Sequence, residues 1–243
     1  MSIIEEVKMV KKIKIIAMLT ISIGIFVLTN CTAKKDTSSK EQPIETVNVI
    51  NRELVKESKD GNCSLKIFYP QIEGLSNVAV EKKINAELIN KFISKDHVYD
   101  IENCDPEARY KIEITYSTKL NKNNILSIMI KHYMVTPGGG STLLEGFTVG
   151  VKNGELYKYE DLFKPDTNYI LKINKIVWGY IEEDEPGFKT RMNTTKYEFY
   201  ITENELVILP FISPKLPGGV PINLSKITDI INPKGPIDYL MKR

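Results

Sequence analysis

Residues 109–120, "RYKIEITYSTKL", constrain the fold more than any other stretch. Tyr110, Ile112, Ile114 and Tyr116 alternate with Arg109, Lys111, Glu113 and Thr115, the period of a strand with one apolar face. "NKNN", Asn121 to Asn124, follows as a turn, because asparagine tolerates left-handed backbone. "ILSIMIKHYMV" then returns, apolar on both faces, and is predicted to lie centrally in a sheet. A hairpin of this kind must bury its apolar face against another layer.

Covering elements are legible on both sides. "CSLKIFYPQI" is predicted as a strand that Pro70 ends or places at an edge. Ser76 or Asn77 can cap a helix running to about Ser94, with Val80, Ile84, Leu88 and Phe92 as one stripe. After the hairpin come a strand, "LLEGFTVGV", the turn pair Asn153-Gly154, and a returning "LYKYEDLF". Thr167 or Asn168 opens a second helix with Ile170, Ile173, Val177 and Ile181 inward, and "EEDEPG" stops it. "TKYEFYITENELVILPFI" reads as a hairpin around Glu203-Asn204, and "GVPINLSKI" adds a last strand. The expectation is an α+β domain, a mostly antiparallel sheet with two helices packed on one face.

The N-terminus sets the expected location. Lys8, Lys11, Lys12 and Lys14 precede Ile15–Leu28, 14 uncharged residues. As a helix these span roughly 21 Å, short of a hydrocarbon core of about 30 Å. A basic segment before a short apolar one reads as an export signal. "LTNC" then resembles a bacterial lipobox ending at Cys31, where the thiol would carry lipid, although Asn30 stands where Gly, Ala or Ser is preferred. Lipidation at Cys31 is the first expectation; an uncleaved membrane anchor and plain secretion are the alternatives. Met9 is an alternative start. All three outcomes place the rest outside the cytoplasm. The expected organisation is residues 1–31 as signal, 32–59 as polar tether and lead-in, and 60–243 as a single domain.

Charge and chemistry narrow the function. The chain has 33 basic and 31 acidic residues, with no basic stripe, so nucleic acid is not an expected partner. Outside the cytoplasm Cys63 and Cys104 can form a disulfide; two buried thiols are the alternative. His97 and His132 lie far apart without matched ligand spacing, so no metal or other cofactor is expected. His132, mid-strand, reads as structural, Trp178 as core, and the carboxylates Glu182 to Glu185 as a solvated corner. "TPGGGST", Thr136 to Thr142, lacks the Gly-Lys-Ser/Thr of a phosphate loop and joins strands rather than a strand and a helix. It reads as a glycine-rich turn, with ligand contact as the alternative.

Several stretches together resemble one family. "YPQIEGL" with a helix containing Asn85, "ILSIMIKHYMVTPGGGS", "GELYKYEDLF" and "EFYITENELVILPF…GGVPINL" follow its order over roughly residues 60–232. It is the extracellular domain shared by PdaC-type polysaccharide deacetylases and the anti-sigma-V lysozyme receptor. The family's glycine turn often reads Gly-Gly-Ala-His. Here Gly138, Gly139, Gly140 and Ser141 occupy it, so no histidine role carries over. Neither zinc-binding histidines for a deacetylase nor room for a cytoplasmic sigma-binding domain is in view. The resemblance implies a non-catalytic envelope lipoprotein that binds a cell-wall polymer or an extracellular protein. Binding is expected at the rim loops, through Thr136, Gly138, Gly139, Gly140 and Ser141, and through Phe211, Lys215, Gly218 and Gly219. A cryptic cell-wall hydrolase and a structural envelope protein are the alternatives.

Overall fold

The computed structural model describes residues 46–93, 101, 104, 107, 109–184, 195–210 and 218–241. Among the described residues nine strands form two sheets. The larger takes β1 (Asn48–Glu57), β2 (Cys63–Glu73), β3 (Tyr110–Lys122), β4 (Ile125–Thr136), β5 (Gly139–Gly150) and β6 (Glu155–Leu156) in that order. The smaller is a meander of β7 (Glu198–Ile201), β8 (Glu205–Leu209) and β9 (Val220–Asn223). Helices α1 (Val78–Ile93), α2 (Tyr169–Asp184) and the short α3 (Pro236–Met241) complete the described elements, with 3-10 turns at Tyr159–Leu162 and Leu224–Lys226.

The α+β class and the antiparallel bias hold, with one parallel pair, β2 beside β3. A parallel pair needs a crossover, and α1 lies on it. Three features differ from expectation. The lead-in to the domain contains β1, paired along its whole length with β2, so the folded part starts near Val47. "LYKYEDLF" contributes only a two-residue strand before it coils into the 3-10 turn. The strands divide into two sheets, and the helices serve different cores rather than one face.

The first core lies between α1 and one face of the larger sheet. Ile84, Leu88 and Phe92 of α1 meet Leu65, Ile67, Ile112, Ile114, Leu126, Ile128 and Ile130. Asn77 caps α1 by accepting from Ala79 N and Val80 N at 3.1 and 3.3 Å. Asn85, on the half-buried flank of α1, donates to Ile72 O at 2.9 Å and accepts from Ile72 N at 2.8 Å. The β2–β3 pairing ends at Ile67 and Ile114, so Asn85 answers backbone groups that no strand reaches.

The second core packs α2, through Ile173, Val177 and Ile181, on the smaller sheet and on Leu120 and Ile125 of the larger. Leu120 reaches it because the β3–β4 register shifts between Thr118 and Leu120. That bulge turns Leu120 away from the side faced by Ile112 and Ile114. Asn123 and Asn124 make the hairpin turn with φ of 53° and 61°. β4 is therefore buried on both faces at its start, Ile125 to Ile128, while Lys131, Tyr133 and Val135 further along are exposed. Burying part of a strand on both faces explains its apolar sequence.

Candidate ligand-binding site

At the far end of the β3–β4 hairpin, two turns and the start of β3 meet. Thr136 ends β4 and Gly139 begins β5, so Pro137 and Gly138 alone make the glycine turn. Gly139 sits at φ 133°, and the Thr136 hydroxyl donates to its carbonyl at 3.2 Å. Gly140 has a different reason to lack a side chain. A Cβ there would meet the Tyr133 hydroxyl at 3.0 Å, so Gly140 lets that ring lie across β5. Tyr133 is 41% exposed, with the Lys131 ammonium 5.7 Å from its ring centre.

The turn from β1 to β2 forms the second wall. The Asp60 carboxylate accepts from the Ser58 hydroxyl at 2.7 Å, the Asn62 amide at 2.7 Å and Asn62 N at 3.1 Å. These bonds, that from Ser58 foremost, hold its carboxyl below the usual range. Gly61 takes φ 71°, and Ser58 in turn accepts from Cys63 N at 2.9 Å. Cys63 is fully buried and disulfide-bonded to Cys104, with a Cα–Cα distance of 6.4 Å. It pairs with Tyr110 in the parallel ladder, so the bond fastens the chain ahead of β3 to the start of β2.

The third wall is the start of β3. Arg109 and Lys111 are both exposed, on the side away from Ile112. Between the walls lies an open cavity of about 400 Å³. Gly61 and Asn62, Arg109 to Lys111, and Val135 to Pro137 line it. Among the described residues its lining includes two cations, Arg109 and Lys111, and no carboxylate.

The predicted rim residues separate. Thr136 lines the cavity, while Gly138, Gly139, Gly140 and Ser141 continue its rim into β5. Gly218 and Gly219 do not line it. The Gly218 carbonyl accepts from the Tyr200 hydroxyl at 3.0 Å, and a Cβ on Gly219 would meet Ile208 O at 2.6 Å. Gly219 thus serves the close approach to β8, and Gly218 a bond to β7. Phe211, Lys215, His97 and Cys31 lie outside the described residues. Arg109, Lys111 and Asn62 were not marked by sequence; only the pairing of Lys111 with Val135 and of Cys63 with Tyr110 reveals their meeting.

A second polar group sits on the α1 side of β4 and β5. His132 Nε2 lies 3.6 Å from Glu145 Oε1, and Lys91 Nζ lies 2.5 Å from Glu145 Oε2. Neither His132 nor Glu145 lines the 400 Å³ cavity or the smaller one of about 150 Å³ beside Lys91 and Glu198. Among the described residues no group of three or more His, Cys, Asp or Glu side chains is placed to hold a metal ion. No helix among them is long and apolar enough to cross a membrane. Trp178 packs against the second core, and Glu182 is exposed.

Residues 56–139 match the family model described as Deacetylase PdaC. Every described residue lining the larger cavity falls within that match. No curated protein matches the chain. The fold is shared with two solved structures. A DUF3298 family member from Bacteroides fragilis aligns with TM-score 0.57 at 14% identity, covering 82% of this chain and 97% of that one. A DUF3298 family protein from Pseudomonas aeruginosa aligns with TM-score 0.57 at 10% identity, covering 79% and 96%.

Proposed function

We propose that this PdaC-like domain is a non-catalytic binding module held at the outer face of the cell membrane, which recognises a cell-wall polymer or an extracellular protein. The observation that carries the reading is the cavity where the β1–β2 turn, the start of β3 and the glycine turn converge. It is open, built on paired strands and braced by a disulfide, which suits recognition without rearrangement. The anchor would be lipid on Cys31, with the polar residues that follow as tether. Full-length chain in detergent should bind purified peptidoglycan or lysozyme saturably, and the binding should survive a rise in salt. Binding to neither would remove the recognition role and favour a structural one. Mass spectrometry of the membrane-extracted chain should find a lipid on the Cys31 thiol; an unmodified cysteine would argue against lipidation.

The contact of His132 with Glu145 favours one second reading, a cell-wall hydrolase. It predicts soluble sugar release from peptidoglycan that His132→Ala abolishes. No release above a blank removes it.

A further inference from the structure

Resting on the reading of this sheet end as a binding site, we infer that the cavity receives an oxyanion of the ligand, a carboxylate or phosphate group held between Arg109 and Lys111. Both residues line the cavity, and among the described residues no Asp or Glu does. Among the described residues neither cation has an ion-pair partner. Three lysines elsewhere are paired: Lys66 with Glu53 at 3.1 Å, Lys91 with Glu145, and Lys122 with Glu203 at 3.1 Å.

Two described acids near the cavity, Asp60 and Glu113, are occupied or displaced. Asp60 spends its carboxylate on its own turn, bonding Ser58 and Asn62. Glu113 stands further along β3, in register with Tyr133, and does not line the cavity. Two like charges that no described acid pairs repel in one concavity, and an anion between them converts that repulsion into two charge-assisted hydrogen bonds. The Arg109 guanidinium offers a planar fork that fits either a carboxylate or a phosphate, and Lys111 adds a point charge. Tyr133, propped against Gly140 two residues along β4 from Val135, offers a ring on which a sugar attached to the anion can rest. Acidic wall polymers carry both features, and the inference favours them over a protein ligand.

The test uses the full-length chain in detergent and three probes: a wall disaccharide-tripeptide with free carboxylates, the same compound with its carboxyls amidated, and a glycerol-phosphate oligomer. At least one acidic probe should bind, and the amidated compound about tenfold or more weaker than its acid if the carboxylate is the group read. Arg109→Gln and Lys111→Gln should each weaken binding about fivefold and together about twentyfold, while Arg109→Lys retains most of it. Thermal melting of each variant checks that the fold persists. Binding of the tripeptide acid alone identifies a carboxylate, and binding of the phosphate oligomer alone identifies a phosphate; both support the inference. Two results overturn it and leave the binding reading intact. One is undiminished affinity in the folded double glutamine variant. The other is a chain that binds intact wall but neither acidic probe. Failure to bind intact wall at all overturns the broader reading as well.

Discussion

Gly146 carries the contact between the two sheets, and a single methyl group there should separate them. β7 crosses β5 at this point. A Cβ on Gly146 would lie 1.6 Å from the Phe199 carbonyl oxygen, where real Cβ contacts do not fall below 3.0 Å. Phe199 cannot retreat alone, because it is paired with Ile208 in the β7–β8 ladder. The obstructing atom is backbone, so no rotamer change relieves it. Gly146 N also donates to the Glu198 carboxylate at 3.0 Å, a bond that displacement of β7 would break. Overpacking of this kind costs about 3 kcal/mol. For a domain of this size that lowers the melting temperature by roughly 6–12 °C. Gly179→Ala is the matched control. It lies on the exposed side of α2 with nothing within 4 Å of its Cβ position, so alanine there should stabilise by about 0.5–1 kcal/mol. Urea unfolding of both variants reads the difference directly. If Gly146→Ala is as stable as wild type, the close crossing of β7 over β5 is wrong, and so is the account of how the two sheets are joined.

Three further outcomes follow from the cores. Ser127→Ala should cost about 1–3 kcal/mol in urea unfolding, because the Ser127 hydroxyl accepts from Ile201 N at 2.9 Å and meets Thr148 Oγ1 at 2.8 Å, all buried. Reducing the Cys63–Cys104 bond, which spans 41 residues, should lower stability by about 4 kcal/mol, measured by melting with and without reductant. Tyr159→Phe should stabilise by about 1 kcal/mol, since the Tyr159 hydroxyl is buried with no hydrogen-bond partner among the described residues. Burial, then the nearby Tyr197 and Tyr169, push its ionisation far above the ordinary 10.0. The wild type should therefore show no contribution from this group below about pH 10 and lose stability as pH rises beyond it, because only the unfolded chain ionises there. The phenylalanine variant should lack its share of that slope.

What the sequence made legible was what a local period can encode. The strand from Tyr110, the α1 stripe Ile84, Leu88 and Phe92, the asparagine turn and the Glu203-Asn204 hairpin all rest on residues within a few positions of one another. β1 escaped because its pattern is polar at most positions, as suits an edge strand with exposed side chains. The division into two sheets escaped because it depends on Gly146 and on the bulge at Thr118 and Leu120. Both are ordinary residues in sequence, and only the backbone of β7 or the register of β4 gives them meaning. Asn85 was visible as part of a recurring stretch, but its role lies in the Ile72 backbone, 13 residues away. Gly218 and Gly219 resembled a rim loop because glycine marks turns and close approaches alike, and here the close approach to Ile208 accounts for Gly219.

The cavity shows the same division between local and distant information. Arg109 and Lys111 were assigned to the polar face of β3 by alternation alone, a position that ordinarily means nothing more than solvent. Their meaning comes from two registers. The parallel one sets Cys63 beside Tyr110, and the antiparallel one sets Lys111 beside Val135. A slip of one residue in either pairing would carry Lys111 to the α1 face, where Ile112 and Ile114 are buried, so the core itself forbids it. The disulfide adds a covalent stop at the same end of the sheet, while the bulge takes up the extra residue at the opposite end of β3. The residues that face the cavity are thus positioned in part by groups that do not line it, the buried core, the disulfide and the bulge. This is why an unremarkable turn, "TPGGGST", becomes one wall of a site only when the strands on either side of it are placed.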